Sequence, residues 1–144
     1  MKIIKFRVYD KLFDKMCYFK DTNDSQKTSY VITLDGKLLW LEENLTEDTA
    51  KVRVYLPEQY DLMQYTGLLD RHGKEIYEGD IFDCIYKFDG CNEHKLEVVW
   101  DETSASFRLK SHRKCHQPYV AKIMSDLGRL EIIGNIYENP ELKI

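Results

Sequence analysis

The chain has 144 residues, of which 21 are basic and 25 acidic, giving a net charge of -4. This length suits one domain with a single core, and the acidic balance argues against a protein whose whole surface binds nucleic acid or membranes. No apolar run approaches the roughly 18 residues that a spanning helix needs, and Lys5 and Arg7 interrupt any signal peptide. We therefore expect a cytoplasmic protein whose four cysteines are reduced thiols.

Alternating apolar and polar residues predict strands in the N-terminal part of the chain. Ile4, Phe6 and Val8 alternate with charged or polar neighbours, which is the period of a half-buried strand. Further strands are predicted at residues 16–19, 30–34, 37–41 and 51–56. Asp35-Gly36 lies between two of these runs and predicts a type I′ hairpin turn, because glycine accepts the positive φ that this turn requires.

The C-terminal part repeats the strand pattern and adds one predicted helix. Strands are predicted at residues 62–65, 81–88, 95–100, 107–110 and 131–136. The helix is predicted over residues 119–127, where the apolar residues fall on one helical stripe. Pro118 suits the start of this helix and Gly128 suits its end.

Many short strands with a single helix are typical of a β-rich α+β fold. We predict a small barrel-like antiparallel sheet formed by residues 62–110 and 130–138, with N-terminal β-hairpins beside it. The chain would form one domain over residues 1–144, with possible sub-lobes at residues 1–58 and 59–144.

A long block from Leu62 to Ile81, with the sequence LMQYTGLLDRHGKEIYEGDI, resembles the YopX family of phage and prophage proteins. The similarity continues at the C-terminus in IGNIYENPEL (residues 133–142), and it also touches RVYD (7–10) and VWD (99–101). The resemblance implies a small accessory protein in the cytoplasm of a Gram-positive host, and it brings no established activity or catalytic residues. Within the block, YEGDI also resembles strand starts of SH3-like barrels, which implies an SH3-like form for the predicted sheet.

Four potential zinc ligands occur as two short pairs. Cys91 and His94 are separated by two residues, as are His112 and Cys115. Each pair fits within a tight turn, and two pairs at the open end of a hairpin would supply a tetrahedral Cys2His2 site. Their order and spacing match no familiar zinc module, and the alternative is that all four are solvated loop residues. Zinc is therefore a secondary hypothesis, and otherwise we expect no cofactor.

A basic stretch without acidic residues runs from Thr103 to Ser125. Cations interleaved with aromatic residues can hold a nucleic-acid backbone and stack a base. The alternative is a solvated strand face. The candidate nucleic-acid-binding residues are Arg108, Lys110, Arg113, Lys114 and Lys122.

Acidic residues crowd the central block at Asp70, Glu75, Glu78 and Asp80, and an enzyme hypothesis would centre on Asp70, Glu75 and Asp80. Paired acids can perform acid–base catalysis or bind a hard cation, whereas acids beside glycines are also typical of turns. No nucleophile, base and cofactor loop come together in the sequence, so we expect no enzymatic activity. We expect a protein that acts by binding a host or phage protein, with homo-oligomerisation possible and nucleic-acid binding through residues 103–125 as the alternative.

Overall fold

The computed structural model describes residues 3–18, 28–44, 49–84, 94–111, 120–122 and 130–143. Within these ranges the chain forms twelve strands and two short 3-10 turns. The prediction of a β-rich fold is confirmed. No helix in the described ranges has the length and apolar character that a membrane crossing needs.

The chain divides into two compact units. The N-terminal unit is formed by Phe6–Leu62, and the C-terminal unit is formed by Met1–Lys5 together with Met63–Ile144. One strand, β6 (Tyr60–Leu69), begins in the first unit and ends in the second.

The N-terminal unit contains a hairpin and a three-stranded antiparallel sheet. The hairpin joins β1 (Phe6–Asp10) to β2 (Lys15–Tyr18). The sheet has the order β3 (Thr28–Ile32), β4 (Leu38–Asn44) and β5 (Thr49–Val54). A 3-10 turn at Pro57–Gln59 precedes β6. The core of this unit consists of Val8, Leu38 and Tyr55, with Tyr30, Ile32, Trp40, Tyr60 and Leu62 packed against them.

A buried carboxylate organises this core. Asp10 is fully buried at the end of β1, and its Oδ2 accepts hydrogen bonds from the hydroxyls of Tyr55 at 2.5 Å and Tyr30 at 3.2 Å. Its Oδ1 accepts the backbone N–H groups of Leu12 and Phe13, which begin the turn after the strand. Burial and the hydrogen bond to Asp10 raise the pKa of Tyr55, so this phenol remains a donor well above neutral pH.

The C-terminal unit contains a five-stranded antiparallel sheet and a short hairpin. The hairpin joins β6 to β7 (Glu75–Tyr77). The other strands are β8 (Asp80–Cys84), β9 (His94–Asp101), β10 (Ser106–Ser111), β11 (Val120–Lys122) and β12 (Ile132–Asn135). Their order in the sheet is β11-β10-β9-β8-β12. The buried core consists of Ile76, Phe82, Leu96, Val98, Leu109 and Ile132.

Two parts of the predicted fold differ from the structure. The helix predicted over residues 119–127 is wrong at Val120–Lys122, which form β11 and pair with β10. Pairing with an existing strand satisfies the hydrogen-bonding groups of the backbone and overrides a weak helical period. The remaining residues of the predicted helix lie outside the described ranges. The SH3-like form is not confirmed, because in the described part β6 and β7 belong to a different sheet from β8–β12.

The predicted hairpin between β3 and β4 is present, but its turn is not of type I′. Such a turn would need positive φ at both Asp35 and Gly36, and only Gly36 has it, at +79°. The amide of Gly36 donates to the carbonyl of Thr33, and the amide of Thr33 donates to the carbonyl of Lys37. The loop therefore has three residues, with glycine at the left-handed position of a bulge.

The same turn recurs between β6 and β7. The amide of Gly73 donates to the carbonyl of Asp70, and the amide of Asp70 donates to the carbonyl of Lys74. Gly73 has a φ of +79°, as Gly36 does. In each turn the side chain of the residue before the loop accepts the backbone N–H of the lysine after it. Thr33 Oγ1 accepts the N–H of Lys37, and Asp70 Oδ1 accepts the N–H of Lys74.

Asp70 also ties this turn to the edge of the large sheet. Its Oδ1 accepts the N–H of His72 at 2.8 Å, and its Oδ2 accepts the N–H of Ile132 in β12 at 3.3 Å. Burial opposes ionisation of Asp70, but the N–H donors of Lys74, His72 and Ile132 outweigh it and lower the pKa of Asp70. The ionised carboxylate thus contributes to the stability of the fold.

Gly79 has a close environment that the other turn glycines lack. Its φ is +78°, its N–H donates to the carbonyl of Val98, and its carbonyl accepts the N–H of Ile136. A Cβ at this position would lie 3.2 Å from Cγ1 of Ile136 and 3.4 Å from a ring carbon of Tyr137. The glycine of Glu78-Gly79-Asp80 is therefore required both by its backbone conformation and by close packing.

We expect Gly79→Ala to destabilise the protein more than Gly73→Ala. Both glycines have nearly the same φ, but nothing lies within 4 Å of a Cβ at Gly73. In the control, Gly73→Ala, the left-handed backbone alone should lower the free energy of unfolding by about 1–2 kcal/mol. In Gly79→Ala, overpacking should lower it by about 1–3 kcal/mol more. Urea unfolding of the two variants measures this difference. Equal losses would show that the contacts of Gly79 impose no constraint.

We expect Asp70→Asn to lower the free energy of unfolding by about 1–3 kcal/mol at neutral pH, because the amide group that replaces Oδ2 cannot accept the N–H of Ile132. The control Asp83→Asn, at an exposed position of β8, should change it by less than about 0.5 kcal/mol. Urea unfolding at a series of pH values provides the measurement.

The pH dependence of this loss follows from the lowered pKa of Asp70. The carboxylate contributes fully above the unfolded-state pKa of about 3.9, and its contribution disappears as the pH falls through the lower folded-state value. The difference between wild type and Asp70→Asn should therefore shrink between about pH 5 and pH 2. A difference that stays constant over this range would contradict the assigned role.

Candidate functional site

The three-stranded sheet of the N-terminal unit has two apolar faces. The inner face contributes residues such as Leu38 and Tyr55 to the core. The opposite face is apolar as well, and we call it the outer apolar face. Its residues are aligned by the strand register, with Val31 opposite Leu39, Leu39 opposite Val54, and Leu41 opposite Val52.

The outer apolar face is accessible to solvent, most of all along β5. Val52 is 58% exposed and Val54 is 57% exposed, while Leu39 and Leu41 are half-buried. Side chains of a strand alternate between the two faces, so Val52 and Val54 share one face while Lys51 and Arg53 share the other. Contiguous exposed apolar side chains of this kind are typical of interaction surfaces.

Strand β5 also lies at an edge of its sheet. Among the described strands it pairs with β4 alone. An edge strand presents backbone N–H and C=O groups to which another extended segment can pair. The outer apolar face therefore ends at a strand that can itself accept a partner.

Arg53 lies on the opposite face of β5, between two aromatic rings. Its Cζ atom is 5.7 Å from the ring centre of Phe13 and 5.7 Å from that of Trp40. Among the side chains that the structure describes, no carboxylate forms an ion pair with the exposed Arg53. Stacking on aromatic rings orients a guanidinium while its N–H groups stay available to a carboxylate. This arrangement places an oriented cation beside the edge of β5.

The predicted basic stretch is only partly within the described residues. Arg108 and Lys110 lie on β10, whereas Arg113 and Lys114 lie outside the described ranges. The backbone of Lys122 pairs with that of Arg108 across β10 and β11. The structure therefore aligns two predicted cations on neighbouring strands and leaves two others undescribed.

Acidic residues neighbour both described cations of β10. Arg108 Nε lies 3.5 Å from Asp101 Oδ2, and it donates to Ser104 Oγ at 3.1 Å. Hydrogen bonds from Ser104 and Thr103, with the charge of Arg108, lower the pKa of Asp101 to about 2. Lys110 is exposed and lies opposite Glu97 in β9. In this stretch Arg108 therefore helps to close the β9–β10 turn.

The predicted zinc ligands fall almost entirely outside the described ranges. Cys91, His112 and Cys115 are not described, and His94 is known only as the first residue of β9. In the part of the chain that the structure describes, no three His, Cys, Asp or Glu side chains come together as a metal site would require.

Asp70, Glu75 and Asp80, the three acids of the enzyme hypothesis, each have a structural partner. Asp70 accepts the N–H groups of its own turn, and the buried Asp80 accepts the N–H of Tyr77 at 2.8 Å. Glu75 pairs with Lys5, and the Tyr77 hydroxyl donates to it at 2.8 Å. The hydrogen bond from Lys5 is the main cause that lowers the pKa of Glu75. These acids hold turns and strand ends in place, which is the turn role that the sequence offered as their alternative.

The outer apolar face is a feature that the sequence interpretation missed. Alternation at residues 51–56 predicted a strand there, but it did not show that both sets of side chains would remain accessible. The signal was the pattern Lys51-Val52-Arg53-Val54, in which one set is charged and the other is apolar. A single buried face would normally leave only the charged set exposed.

Comparisons with known proteins agree with this description of the fold. One similar crystal structure is that of protein EF1440 from Enterococcus faecalis, with 24% identity, a TM-score of 0.55 and complete coverage of both chains. Another is that of protein yopX from Bacillus subtilis, with 21% identity, a TM-score of 0.58 and 96% coverage of each chain. No curated protein matches the sequence.

The sequence itself matches a family model over nearly its full length. The model is that of the YopX protein, and the match extends over residues 5–142. It includes both units, the turns at Asp70 and Gly79, and the strands of the outer apolar face. The resemblance found in the central block is confirmed, and the chain belongs to the YopX family.

Proposed function

We propose that this YopX-family protein is a phage- or prophage-encoded accessory protein of the host cytoplasm that acts by binding another protein. The supporting observation is the outer apolar face, where Val52 and Val54 are more than half exposed beside an edge strand. Burying such side chains against a partner gains about 25 cal/mol per Å² of apolar surface. Binding through this face needs neither a cofactor nor catalytic chemistry.

The assignment of the central acids to structural roles supports a non-enzymatic mode of action. Asp70 and Asp80 are buried and accept backbone N–H groups, and Glu75 is paired with Lys5. A catalytic acid or base must instead be within hydrogen-bond reach of a substrate. The proposed function therefore assigns these residues to the scaffold and the interaction to the N-terminal unit.

Nucleic-acid binding through residues 103–125 is the second candidate. Lys110 is exposed on β10, and Lys122 lies in the neighbouring strand β11. Arg108, however, forms an ion pair with Asp101, and phosphate binding would have to compete with this pair. For this reason the protein-binding proposal has the stronger support.

Capture from host lysate, with and without nuclease treatment, tests the proposed function. We expect wild-type protein to retain a specific protein partner, and Val52→Thr/Val54→Thr to retain about tenfold less of it. Threonine preserves the β-branched shape that a strand favours while removing apolar surface. The control Leu69→Thr/Ile133→Thr makes the same change at two exposed positions of the C-terminal unit, and it should bind as wild type does.

Circular dichroism of all three proteins verifies that they fold alike. Equal capture by wild type and the Val52→Thr/Val54→Thr variant would exclude the outer apolar face as the binding surface. Capture that disappears on nuclease treatment would favour the nucleic-acid alternative and contradict the proposal.

A further inference from the structure

We propose that the partner of the outer apolar face is an extended peptide segment in which apolar and acidic residues alternate, and that this segment pairs with the edge of β5. The inference rests on the proposed function and specifies the chemistry of its partner. It follows from the edge position of β5, from the opposite character of its two faces, and from the oriented guanidinium of Arg53.

The backbone of β5 provides the first requirement for strand addition. The strand comprises Thr49–Val54, and its described pairing is with β4 on one side. A segment of five or six residues added to the other side would receive main-chain hydrogen bonds that do not depend on its side chains. Specificity would then come from the side chains that flank β5 on each face.

The two faces of β5 define the alternation expected in the partner. In an added strand, every second residue would extend the outer apolar face next to Val52 and Val54, so these positions favour Val, Ile or Leu. The residues between them would lie on the face of Lys51 and Arg53, where opposite charge is favourable. A sequence that alternates apolar and acidic residues meets both conditions.

Arg53 is the principal source of charge selectivity. Lys51 lies opposite Glu42 within the sheet, whereas Arg53 lies opposite Trp40. The Cζ atom of Arg53 lies 5.7 Å from the ring centres of both Trp40 and Phe13. Among the side chains that the structure describes, no carboxylate forms an ion pair with it. A glutamate or aspartate of the added strand beside Arg53 would form a charge-assisted hydrogen bond, which is about twice as strong as a neutral one.

A second copy of this chain is a poorer partner for the same edge. Antiparallel pairing of two β5 strands about a twofold axis keeps like faces together. A pair centred on Val52 would set Lys51 opposite Arg53 of the second copy, and a pair centred on Arg53 would set the two arginines opposite each other. Like charges directly opposite in a sheet are destabilising. The charges of β5 thus disfavour self-pairing and favour an acidic strand.

The size of the outer apolar face also favours a short segment. Three strands at a spacing of about 4.8 Å, each with about five residues rising 3.3 Å, cover roughly 14 by 17 Å. This is on the order of 240 Å², which is well below the roughly 800 Å² per partner that a stable protein–protein interface buries. A stacked globular partner would lack area, whereas an added strand gains main-chain hydrogen bonds as well as apolar contact.

The experiment uses a fluorescent probe peptide, Thr-Val-Glu-Val-Glu-Val-Thr, with anisotropy as the readout. Two matched peptides carry lysine in place of both glutamates, or proline in place of the central valine. We expect the glutamate peptide to bind wild-type protein about tenfold more tightly than the lysine peptide. The proline peptide should bind weakly, because proline cannot donate to a strand ladder.

Protein variants assign this selectivity to the edge of β5. Arg53→Glu should reverse the preference between the glutamate and lysine peptides. Arg53→Lys should bind the glutamate peptide more weakly, because lysine keeps the charge but lacks the planar group that stacks between rings. Lys110→Glu makes a similar charge change in the C-terminal unit and should leave peptide binding unaltered.

Several results would overturn the inference. One such result is equal affinity for the glutamate and lysine peptides, or no binding of any peptide. Another is undiminished binding of the proline peptide. A third is the same effect on peptide binding from Lys110→Glu as from Arg53→Glu. A dimer in light scattering that is lost in Val52→Thr/Val54→Thr would assign the face to a second copy instead. If peptide selectivity fails while lysate capture still depends on Val52 and Val54, protein binding stands and only strand addition is wrong.

Discussion

Aspartate and asparagine side chains that accept backbone N–H groups are the interaction on which this structure depends. A fold made of short strands has many turns, and the N–H groups in those turns need acceptors when they are buried. Asp10 accepts two of them after β1, Asp70 accepts three around the β6–β7 turn, and Asn135 accepts two after β12. A carboxylate can accept several hydrogen bonds at once, which makes aspartate well suited to this task.

This use of aspartate explains why the family block is rich in acids and glycines. Gly73 and Gly79 adopt a backbone conformation that other residues avoid, and Asp70 and Asp80 satisfy the N–H groups that these turns would otherwise leave unpaired. The residues of the block consequently form and stabilise the turns that join β6, β7 and β8.

Much of the strand content could be predicted from alternation, because each sheet has at least one buried face. The strand at His94–Asp101 is an example, in which the buried Leu96 and Val98 alternate with less buried neighbours. Pairing between distant segments could not be predicted in the same way. Val120–Lys122 lie in a stretch, residues 119–127, whose apolar residues recur at helical spacing, yet they pair with β10. Only the position of β10 in the folded chain decides between the two outcomes.

The candidate site was predictable to a smaller extent than the strands. Asp70, Glu75 and Asp80 are conspicuous in the sequence because they are charged and close together. Their partners, however, include residues as distant in the sequence as Lys5 and Ile132. Val52 and Val54 attracted no such attention, because an apolar residue in a strand is normally buried. The alternation of valines with cations in β5 indicates a strand with two different faces, but it does not show which face the rest of the protein covers.

The position of β5 at the edge of its sheet, among the described strands, also has a consequence for aggregation. Exposed valines on an edge strand are the kind of segment from which fibrillar aggregates grow. Lys51 and Arg53, placed between and beside those valines, act as gatekeepers, since stacking many copies in register would bring their charges into rows. These two charges therefore disfavour fibril growth from this edge, and an acidic strand of the kind proposed above would neutralise the same charges.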